Sequence, residues 1–241
     1  MIETVAVTGS TNADLLQRLA AGEALAEGYW LRAEQQSSGR GRSGREWMSV
    51  PGNLYTSTLV RLGDGDPAPH TLSMVTAIAV YETLRRQLKA GTDVALKWPN
   101  DVLVSRAKIA GILLERCNNT VVVGVGINVT HAPELPGRET TSVQRENPAN
   151  QAGPSIILDD LASELSKQLG LWRAEGLASL FERWQSRAFA LGTAMSVNAA
   201  DEGRVDGAFA GIAENGSLIL RLASGEMRTI HAGDVSLIAR G

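Results

Sequence analysis

A single cysteine, Cys117, is present among the 241 residues, which excludes an internal disulfide and a metal site built from several cysteines. The chain also lacks any apolar run near the roughly 20 residues that a membrane helix needs. Its first residues carry no basic leader followed by a long apolar stretch, so a secretory signal is not predicted. These absences predict a cytoplasmic protein with no membrane partner, in which Cys117 is a small buried apolar side chain.

Excess charge is missing as well, because 23 basic and 26 acidic residues leave a formal net charge of −3. This balance gives the whole molecule no attraction for nucleic acid or anionic membranes. Recognition of an anion must therefore come from a local site, and DNA is not expected as a partner. An apolar content of 44% with 20% charged residues is typical of an ordered, folded chain.

Length and patterning predict a main domain, residues 1–190, and a small second domain, residues 191–241. Thr11 is expected to cap the first helix, with Asp14 three positions on. The main domain's other predicted elements are strands at 3–7, 29–35, 54–62, 94–98, 102–104, 108–115 and 121–129, and helices at 72–88, 155–171 and 177–189. Short links between residues 94 and 129 favour antiparallel pairing there. Residues 131–154 form a long predicted loop without an aromatic residue.

The second domain breaks into short alternating segments. Turn-forming residues separate them at 201–203, 214–216 and 224–226. Frequent turns between short strands are typical of a small β-barrel.

The most unusual stretch is a loop in which glycines alternate with arginines: Gly39, Arg40, Gly41, Arg42, Gly44 and Arg45. Its bare pattern matches a dinucleotide-binding fingerprint, but that fingerprint opens a helix, and here Trp47 and Pro51 follow. We interpret the loop as one that wraps an anion with backbone N–H and guanidinium donors. An alternative is that the loop is solvated surface or a contact to nucleic acid.

A second group of polar residues follows the long predicted helix, in the stretch Lys97-Trp98-Pro99-Asn100-Asp101 and at Lys108. Lys108 heads an otherwise apolar strand, where an unpaired ammonium would be costly to bury. A phosphate or a carboxylate is its natural partner. Taken alone, Lys97 is also consistent with a strand end that reaches solvent, and Asp101 with a turn.

Several motifs together resemble the biotin protein ligases in order and spacing. They are Ser10-Thr11-Asn12, the loop from Gln36 to Trp47, Lys97 to Asp101, Lys108 to Gly111, Gly124 to Asn128, and Gly233 to Leu237. This joint match is highly specific and spans the chain. The resemblance implies an α+β fold, with a mixed β-sheet flanked by helices, related to class II aminoacyl-tRNA synthetases, and a small C-terminal β-barrel.

The resemblance also implies the site residues. Those expected to bind biotin or its adenylate are Ser10, Thr11, Asn12, Gln36, Gly39, Arg40, Gly41, Arg42, Trp47, Lys108 and Gly111. Those expected near the nucleotide are Arg42, Arg45, Lys97, Asp101, Lys108 and Asn128. Lys108, Arg42 and Arg40 are the expected catalytic cations.

The implied reaction uses ATP and biotin as substrates, with Mg²⁺, and passes through biotinyl-adenylate to a lysine of a biotin carboxyl carrier domain.

Many bacterial members begin with a DNA-binding winged helix, whereas here the Ser-Thr-Asn motif begins nine residues after Met1, so a repressor role is not expected. Asp101 is a candidate metal ligand, and exposed strands in the β-rich middle of the chain are the candidate surface for a homodimer. The alternatives are a lipoate protein ligase with the same chemistry and a noncatalytic anion-binding module.

Overall fold

A computed structural model describes residues 1–135, 137–199 and 203–238 of the chain. Seven strands form its larger sheet: β1 (Ile2–Thr8), β2 (Trp30–Gln36), β3 (Leu54–Arg61), β4 (Val94–Lys97), β5 (Asp101–Val104), β6 (Ala107–Cys117) and β7 (Thr120–Ile127). Their order is β1-β2-β3-β7-β6-β5-β4, with β1 parallel to β2 and the other neighbours antiparallel. The predicted mixed sheet and the antiparallel pairing between residues 94 and 129 are confirmed.

Four α-helices accompany this sheet: α1 (Thr11–Ala20), α2 (Leu72–Gln87), the short α3 (Val143–Glu146) and α4 (Pro154–Gln185). The two predicted C-terminal helices correspond to α4, which is interrupted at Gly176 with φ 75° and ψ −165°. The prediction that Thr11 caps α1 is wrong, since Ser10 is the N-cap and makes no side-chain capping bond. Helix α3 lies inside the segment predicted as a loop.

The two faces of the large sheet differ in composition because side chains alternate along each strand. On β7, Val121, Val123 and Val125 join the main hydrophobic core with residues of α2 and α4. Between them, Val122 points to the opposite face and packs in a smaller cluster with Leu15 of α1. Further along that opposite face, the β7 positions are Gly124 and Gly126. Because glycine has no side chain, this part of the sheet surface is left open.

A second, antiparallel sheet follows α4. Its strands are β8 (Ala194–Ala199), β9 (Gly203–Ile212), β10 (Leu218–Arg221), β11 (Met227–Ile230) and β12 (Gly233–Leu237), in the order β11-β10-β9-β8-β12. The short strands and the turns at 214–216 and 224–226 agree with the prediction, and Asp201 and Glu202 of the third predicted turn lie outside the described residues. Apolar residues of this sheet, including Phe209 and Leu220, belong to the same buried cluster as the main core.

Cys117 is half-buried at the end of β6, and therefore more exposed than the sequence predicted. In the ranges that the structure describes, no helix is long and apolar enough to cross a membrane.

Two glycines of α4 provide a matched test of its interruption. Gly176 has a backbone conformation that L side chains rarely adopt, whereas Gly170 is exposed, helical and surrounded by open space. We expect Gly176→Ala to lower the free energy of unfolding by about 1–3 kcal/mol through backbone strain. Gly170→Ala should instead raise it by about 0.5–1 kcal/mol, because alanine favours the helix. Urea denaturation measures both, and equal effects of the two substitutions would contradict a break at Gly176.

Candidate active site

A cavity of about 370 Å³ opens on the glycine-bearing face of the large sheet. Residues from almost the whole length of the chain line it, from Ser10 after β1 to Val235 in β12. Every residue predicted for the site lines this cavity except Gly39: Ser10, Thr11, Asn12, Gln36, Arg40, Gly41, Arg42, Arg45, Trp47, Lys97, Asp101, Lys108, Gly111 and Asn128. Residues that are far apart in sequence are thus brought together as predicted, although their individual roles remain predictions.

The floor of the cavity consists of glycines on which a single indole ring rests. A Cβ atom at Gly126 would lie 2.5 Å from the Trp47 ring, and one at Gly111 would lie 2.8 Å from it. Both glycines are therefore needed for Trp47 to lie flat against the sheet. Lys108 Nζ lies 5.1 Å from the centre of the same ring, within the range of a cation–π contact. The indole N–H is buried and has no hydrogen-bond partner among the described residues.

At one end of the cavity a buried network of uncharged side chains connects α1 with the sheet. The Gln36 side-chain oxygen accepts from the backbone N–H of Thr11 at 2.9 Å, and the Thr11 and Ser57 hydroxyls lie 2.7 Å apart. Ser57 donates in turn to the Asn12 side-chain oxygen at 2.6 Å. Gly124 makes room for this amide, since a Cβ there would lie 2.3 Å from Asn12 Oδ1. These contacts fix the polar groups that face the cavity.

The network continues to the glycine-arginine loop through one carboxylate. Asn12 Nδ2 donates to Glu115 Oε2 at 2.8 Å, and the other oxygen of Glu115 lies 3.5 Å from Arg40 Nη2. This is a partly exposed ion pair, for which a contribution of about 0–1 kcal/mol is typical. Its consequence is geometric, because it joins the polar end of the cavity to the cationic loop.

Two lysines that line the cavity share one buried carboxylate. Asp101 lies 2.5 Å from Lys108 Nζ and 2.9 Å from Lys97 Nζ, one lysine on each oxygen. Burial alone would raise the pKa of Asp101, but the charges and hydrogen bonds of the two lysines outweigh it and bring the pKa down to about 2. The pKa of Lys108 is lowered, because its burial outweighs the attraction of Asp101. The carboxylate partner predicted for Lys108 is therefore an internal one.

The arginine loop adds three further cations with different surroundings. Arg45 is paired with Asp234 at 2.6 Å, and Arg42 donates to the side-chain oxygen of Asn100 at 3.4 Å. Burial lowers the pKa of Arg42. Gly39, the first glycine of this loop, does not line the cavity; a Cβ there would meet the Trp47 carbonyl oxygen at 2.5 Å, so Gly39 permits the close approach of two parts of the loop backbone.

The second sheet closes one side of the cavity. Lys97 Nζ donates to the Val235 carbonyl at 3.0 Å, and Asp234, the neighbouring residue of β12, holds Arg45. The orientation of Lys97 and Arg45 is therefore set by the last strand of the chain. A nucleotide contact predicted for Lys97 or Arg45 therefore has to use the donor groups that these protein contacts leave free.

Asn128 lines the cavity, while its side-chain amide is engaged by the protein itself. It is buried, and its Nδ2 donates to the Thr141 carbonyl at 3.0 Å and to the Lys108 carbonyl at 3.4 Å. These bonds hold the segment after β7 against the beginning of β6. Asn128 thus fixes the rim of the cavity beside Lys108.

No group of three or more His, Cys, Asp or Glu side chains among the described residues could hold a metal ion. Asp101, the predicted candidate, already has a lysine on each oxygen. In this arrangement its carboxylate does not fit the role of a metal ligand.

Ser57, Glu115 and Asp234 were not predicted as site residues. Ser57 carried a signal, because it lies in the run Thr56-Ser57-Thr58, between apolar or aromatic residues on both sides in the same strand. Asp234 lies in the Gly233 to Leu237 motif of the resemblance but was not assigned to the site, and Glu115 gave no signal, since an acid near a strand end is ordinarily solvated surface. Their partners become neighbours only through the folding of the two sheets.

Two family models match the chain: the biotin/lipoate A/B protein ligase family over residues 5–130, and the biotin protein ligase C terminal domain over residues 196–238. The chain is 34% identical over 240 residues to a biotin–[acetyl-CoA-carboxylase] ligase of Paracoccus denitrificans, covering 96% of this chain and 98% of that protein. It is 36% identical over 239 residues to the protein of the same name from Mycobacterium tuberculosis, covering 97% and 88%.

A solved structure of biotin protein ligase from Aquifex aeolicus, in complex with biotin and ATP, superposes with a TM-score of 0.83. The sequence identity is 26%, and the match covers 99% of each chain. The similarity therefore extends over both sheets.

Substitution of a glycine in the cavity floor tests the position of the Trp47 ring against the sheet. We expect Gly126→Ala to expel the indole, because overpacking costs about 1–3 kcal/mol and the ring can leave toward solvent. Acrylamide quenching of tryptophan fluorescence should rise in Gly126→Ala, and the rise should vanish when Trp47→Phe is added. Gly63→Ala, in open space, is the matched control. A rise that persists without Trp47 would mean that another of the 5 tryptophans had moved.

Proposed function

The chain belongs to the biotin/lipoate A/B protein ligase family, and we propose that it is an enzyme that uses ATP to join biotin to a lysine of a biotin carboxyl carrier domain. The observation that carries the proposal is one cavity with two chemically different ends. An uncharged hydrogen-bonding network lies at one end, and clustered cations lie at the other. Biotin has the complementary pattern, with a neutral ureido ring joined by an alkyl chain to a carboxylate.

The neutral end suits the fused rings of biotin. Ser10 and Thr11 begin α1 at the cavity wall, and the Gln36 amide lies beside them, so hydroxyl and amide groups face the ring position. The interior side of these groups is fixed by Ser57 and Asn12, which reduces the cost of ordering them upon binding. We assign ring recognition to Ser10, Thr11, Asn12 and Gln36.

The cationic end suits the first chemical step. A biotin carboxylate oxygen attacks the α-phosphorus of ATP, the O–P bond of a mixed carboxylic–phosphoric anhydride forms, and the bond from the α-phosphorus to the leaving pyrophosphate breaks. Two anions must approach each other, so positive charge is required at the point of contact. We assign this work to Lys108, Arg40 and Arg42, with Lys97 and Arg45 on the nucleotide side.

The second step transfers the biotinyl group. The amine of the carrier lysine attacks the adenylate carbonyl, an amide bond forms, AMP leaves, and the amine loses a proton. Water must be excluded until the carrier arrives. The loop that bears Trp47 lies across the cavity floor, and we assign the shielding of the intermediate to it.

Mg²⁺ is proposed to enter with ATP, bound to its phosphates. The described residues offer no cluster of metal ligands, and Asp101 is engaged by two lysines. The protein's own contribution to charge is therefore made by its lysines and arginines.

Four further expectations stay predictions: a main domain at 1–190 with a barrel at 191–241, cytoplasmic location, no DNA binding, and a homodimer. The expected surface for pairing with a second copy is an exposed strand of the β-rich stretch from 94 to 129, in which β4 is an edge of the large sheet. Sedimentation at several concentrations measures the oligomeric state.

Pyrophosphate exchange tests the proposed function directly. The protein should incorporate labelled pyrophosphate into ATP in the presence of biotin and should not do so with lipoate, the substrate of the alternative ligase. A noncatalytic anion-binding module would give no exchange with either acid. Exchange with lipoate and not with biotin would identify lipoate as the substrate.

Lys108→Ala should leave the protein folded and reduce biotin-dependent exchange by at least about 100-fold, because a preorganised cation is removed from the reacting phosphate. Circular dichroism and thermal unfolding provide the check on folding. Near-normal exchange in a folded variant would exclude Lys108 from the reaction.

The pH profile supplies a second measurement on the same residue. Because the pKa of Lys108 is lowered from 10.5, wild-type exchange should decline with rising pH before an ordinary lysine loses its proton. Lys108→Arg, which keeps its charge, should move this decline to higher pH. An unchanged alkaline limb in Lys108→Arg would assign the decline to another group.

A further inference from the structure

One carboxylate beside the cavity takes no part in the reaction steps proposed for it. Side chains alternate along β6, so Gly111, Leu113 and Glu115 share one face of the strand. Gly111 and Leu113 line the cavity, whereas Glu115 does not. Glu115 pairs across the strands with Val122, which belongs to the small apolar cluster that contains Leu15 of α1. An acidic side chain beside such a cluster needs polar partners to offset its loss of water.

The two oxygens of Glu115 have different partners. Oε2 accepts a hydrogen bond from Nδ2 of the buried Asn12 at 2.8 Å, and Oε1 lies 3.5 Å from Arg40 Nη2. Asn12 belongs to the uncharged network, and Arg40 belongs to the glycine-arginine loop. Among the described residues, Glu115 is the only polar partner of the Arg40 guanidinium group. One carboxylate therefore contacts a group from each end of the cavity.

Glu115 also fixes which atoms donate within the uncharged network. A carboxylate only accepts hydrogen bonds, so the Asn12 amide turns its nitrogen to Glu115 and its oxygen to Ser57. Ser57 gives its single hydroxyl proton to Asn12, so the Thr11 hydroxyl is the donor in its 2.7 Å bond with Ser57. The contact of the Thr11 hydroxyl with Gln36 Oε1 is longer, at 3.2 Å. With its proton directed inward, the Thr11 oxygen is left to accept from a ligand N–H, a group that the ureido ring of biotin has.

We propose that Glu115 is a positioning residue that links recognition of the biotin ring to the placement of Arg40. This assignment rests on the proposed function. Through Asn12, Glu115 sets the donor direction of the ring-binding network, and through Arg40 it orients a cation of the first chemical step. Without Glu115, Asn12 Nδ2 keeps only its 3.5 Å contact with the Leu113 carbonyl, and the Arg40 guanidinium group loses its partner.

Two substitutions separate these two contacts. Glu115→Gln keeps an oxygen that can accept from Asn12 and removes the charge that holds Arg40. In biotin-dependent pyrophosphate exchange it should lower kcat about fivefold, which corresponds to about 1 kcal/mol, and leave the KM for biotin within about twofold of wild type. Glu115→Ala removes both contacts. It should lower kcat to a similar extent and also raise the KM for biotin about tenfold, because a hydrogen bond to a charged group is lost.

Glu82 provides a matched control. It pairs with Arg187 at 2.6 Å, its side chain is 27% exposed against 26% for Glu115, and it does not line the cavity. Glu82→Gln should change neither kcat nor the KM for biotin. A merely structural role of Glu115 would lower the thermal stability of its variants and leave both kinetic constants of the folded protein unchanged, and that result would overturn the proposal.

A double-mutant cycle tests whether Glu115 acts through Arg40. In the Arg40→Ala background, Glu115→Gln should no longer lower kcat, because the partner of the removed charge is absent. If the two substitutions instead multiply as independent effects, the coupling between Glu115 and Arg40 is wrong.

Biotin binding in the absence of ATP, measured by calorimetry, gives a readout that does not depend on catalysis. The Kd for biotin should rise about tenfold in Glu115→Ala and stay within about twofold of wild type in Glu115→Gln. Equal weakening in both variants, or in neither, would overturn the role assigned to the Asn12 contact. Failure of the proposed function is distinguishable, because the wild type would then show no biotin-dependent exchange.

Discussion

The cavity depends on the difference between the two faces of one β-sheet. Valines 121, 123 and 125 bury one face of β7 in the core, which supplies the apolar burial that stabilises the domain. The opposite face carries glycine at 124 and 126, and β6 adds Gly111 beside them. A flat strand surface without side chains leaves room on an otherwise packed sheet. The same strands therefore provide both the rigidity and the empty volume of the site.

The charges in this volume are held in place by carboxylates of the chain itself. Taking lysines out of water is costly unless a partner compensates, and Asp101 provides that partner for two of them. Because its pKa falls to about 2, Asp101 is ionised throughout the neutral range. Glu115 and Asp234 form partly exposed ion pairs with arginines of the loop, which orient those side chains. The cations are thus oriented before a substrate arrives, so little reorganisation is needed during the reaction.

The site residues were predictable because several motifs together resemble the biotin protein ligases, and among these the glycine-arginine loop and Lys108 are also unusual within their own segments. The strands and helices followed from the period of their apolar residues. The sequence did not show which side chains contact each other once the strands and helices are assembled. Ser57 touches Thr11 and Asn12 only because β3 lies beneath α1, and Glu115 meets Arg40 only after β6 takes its register. The capping of α1 was misassigned by one residue because Thr11 directs its hydroxyl into this network.

The contacts of β12 with the cavity also determine when, during synthesis of the chain, the cations of the cavity acquire their final orientation. Ribosomes deliver the chain from its N-terminus, and domains generally fold in that order. The large sheet and the arginine loop are complete in sequence well before Asp234 and Val235 emerge, yet these two residues hold Arg45 and Lys97. A nascent chain would therefore hold most of the fold while two of its nucleotide-side cations still lacked their final orientation. The cationic end of the cavity is therefore completed only when β12 pairs with β8, which the order of synthesis makes one of the last steps of folding.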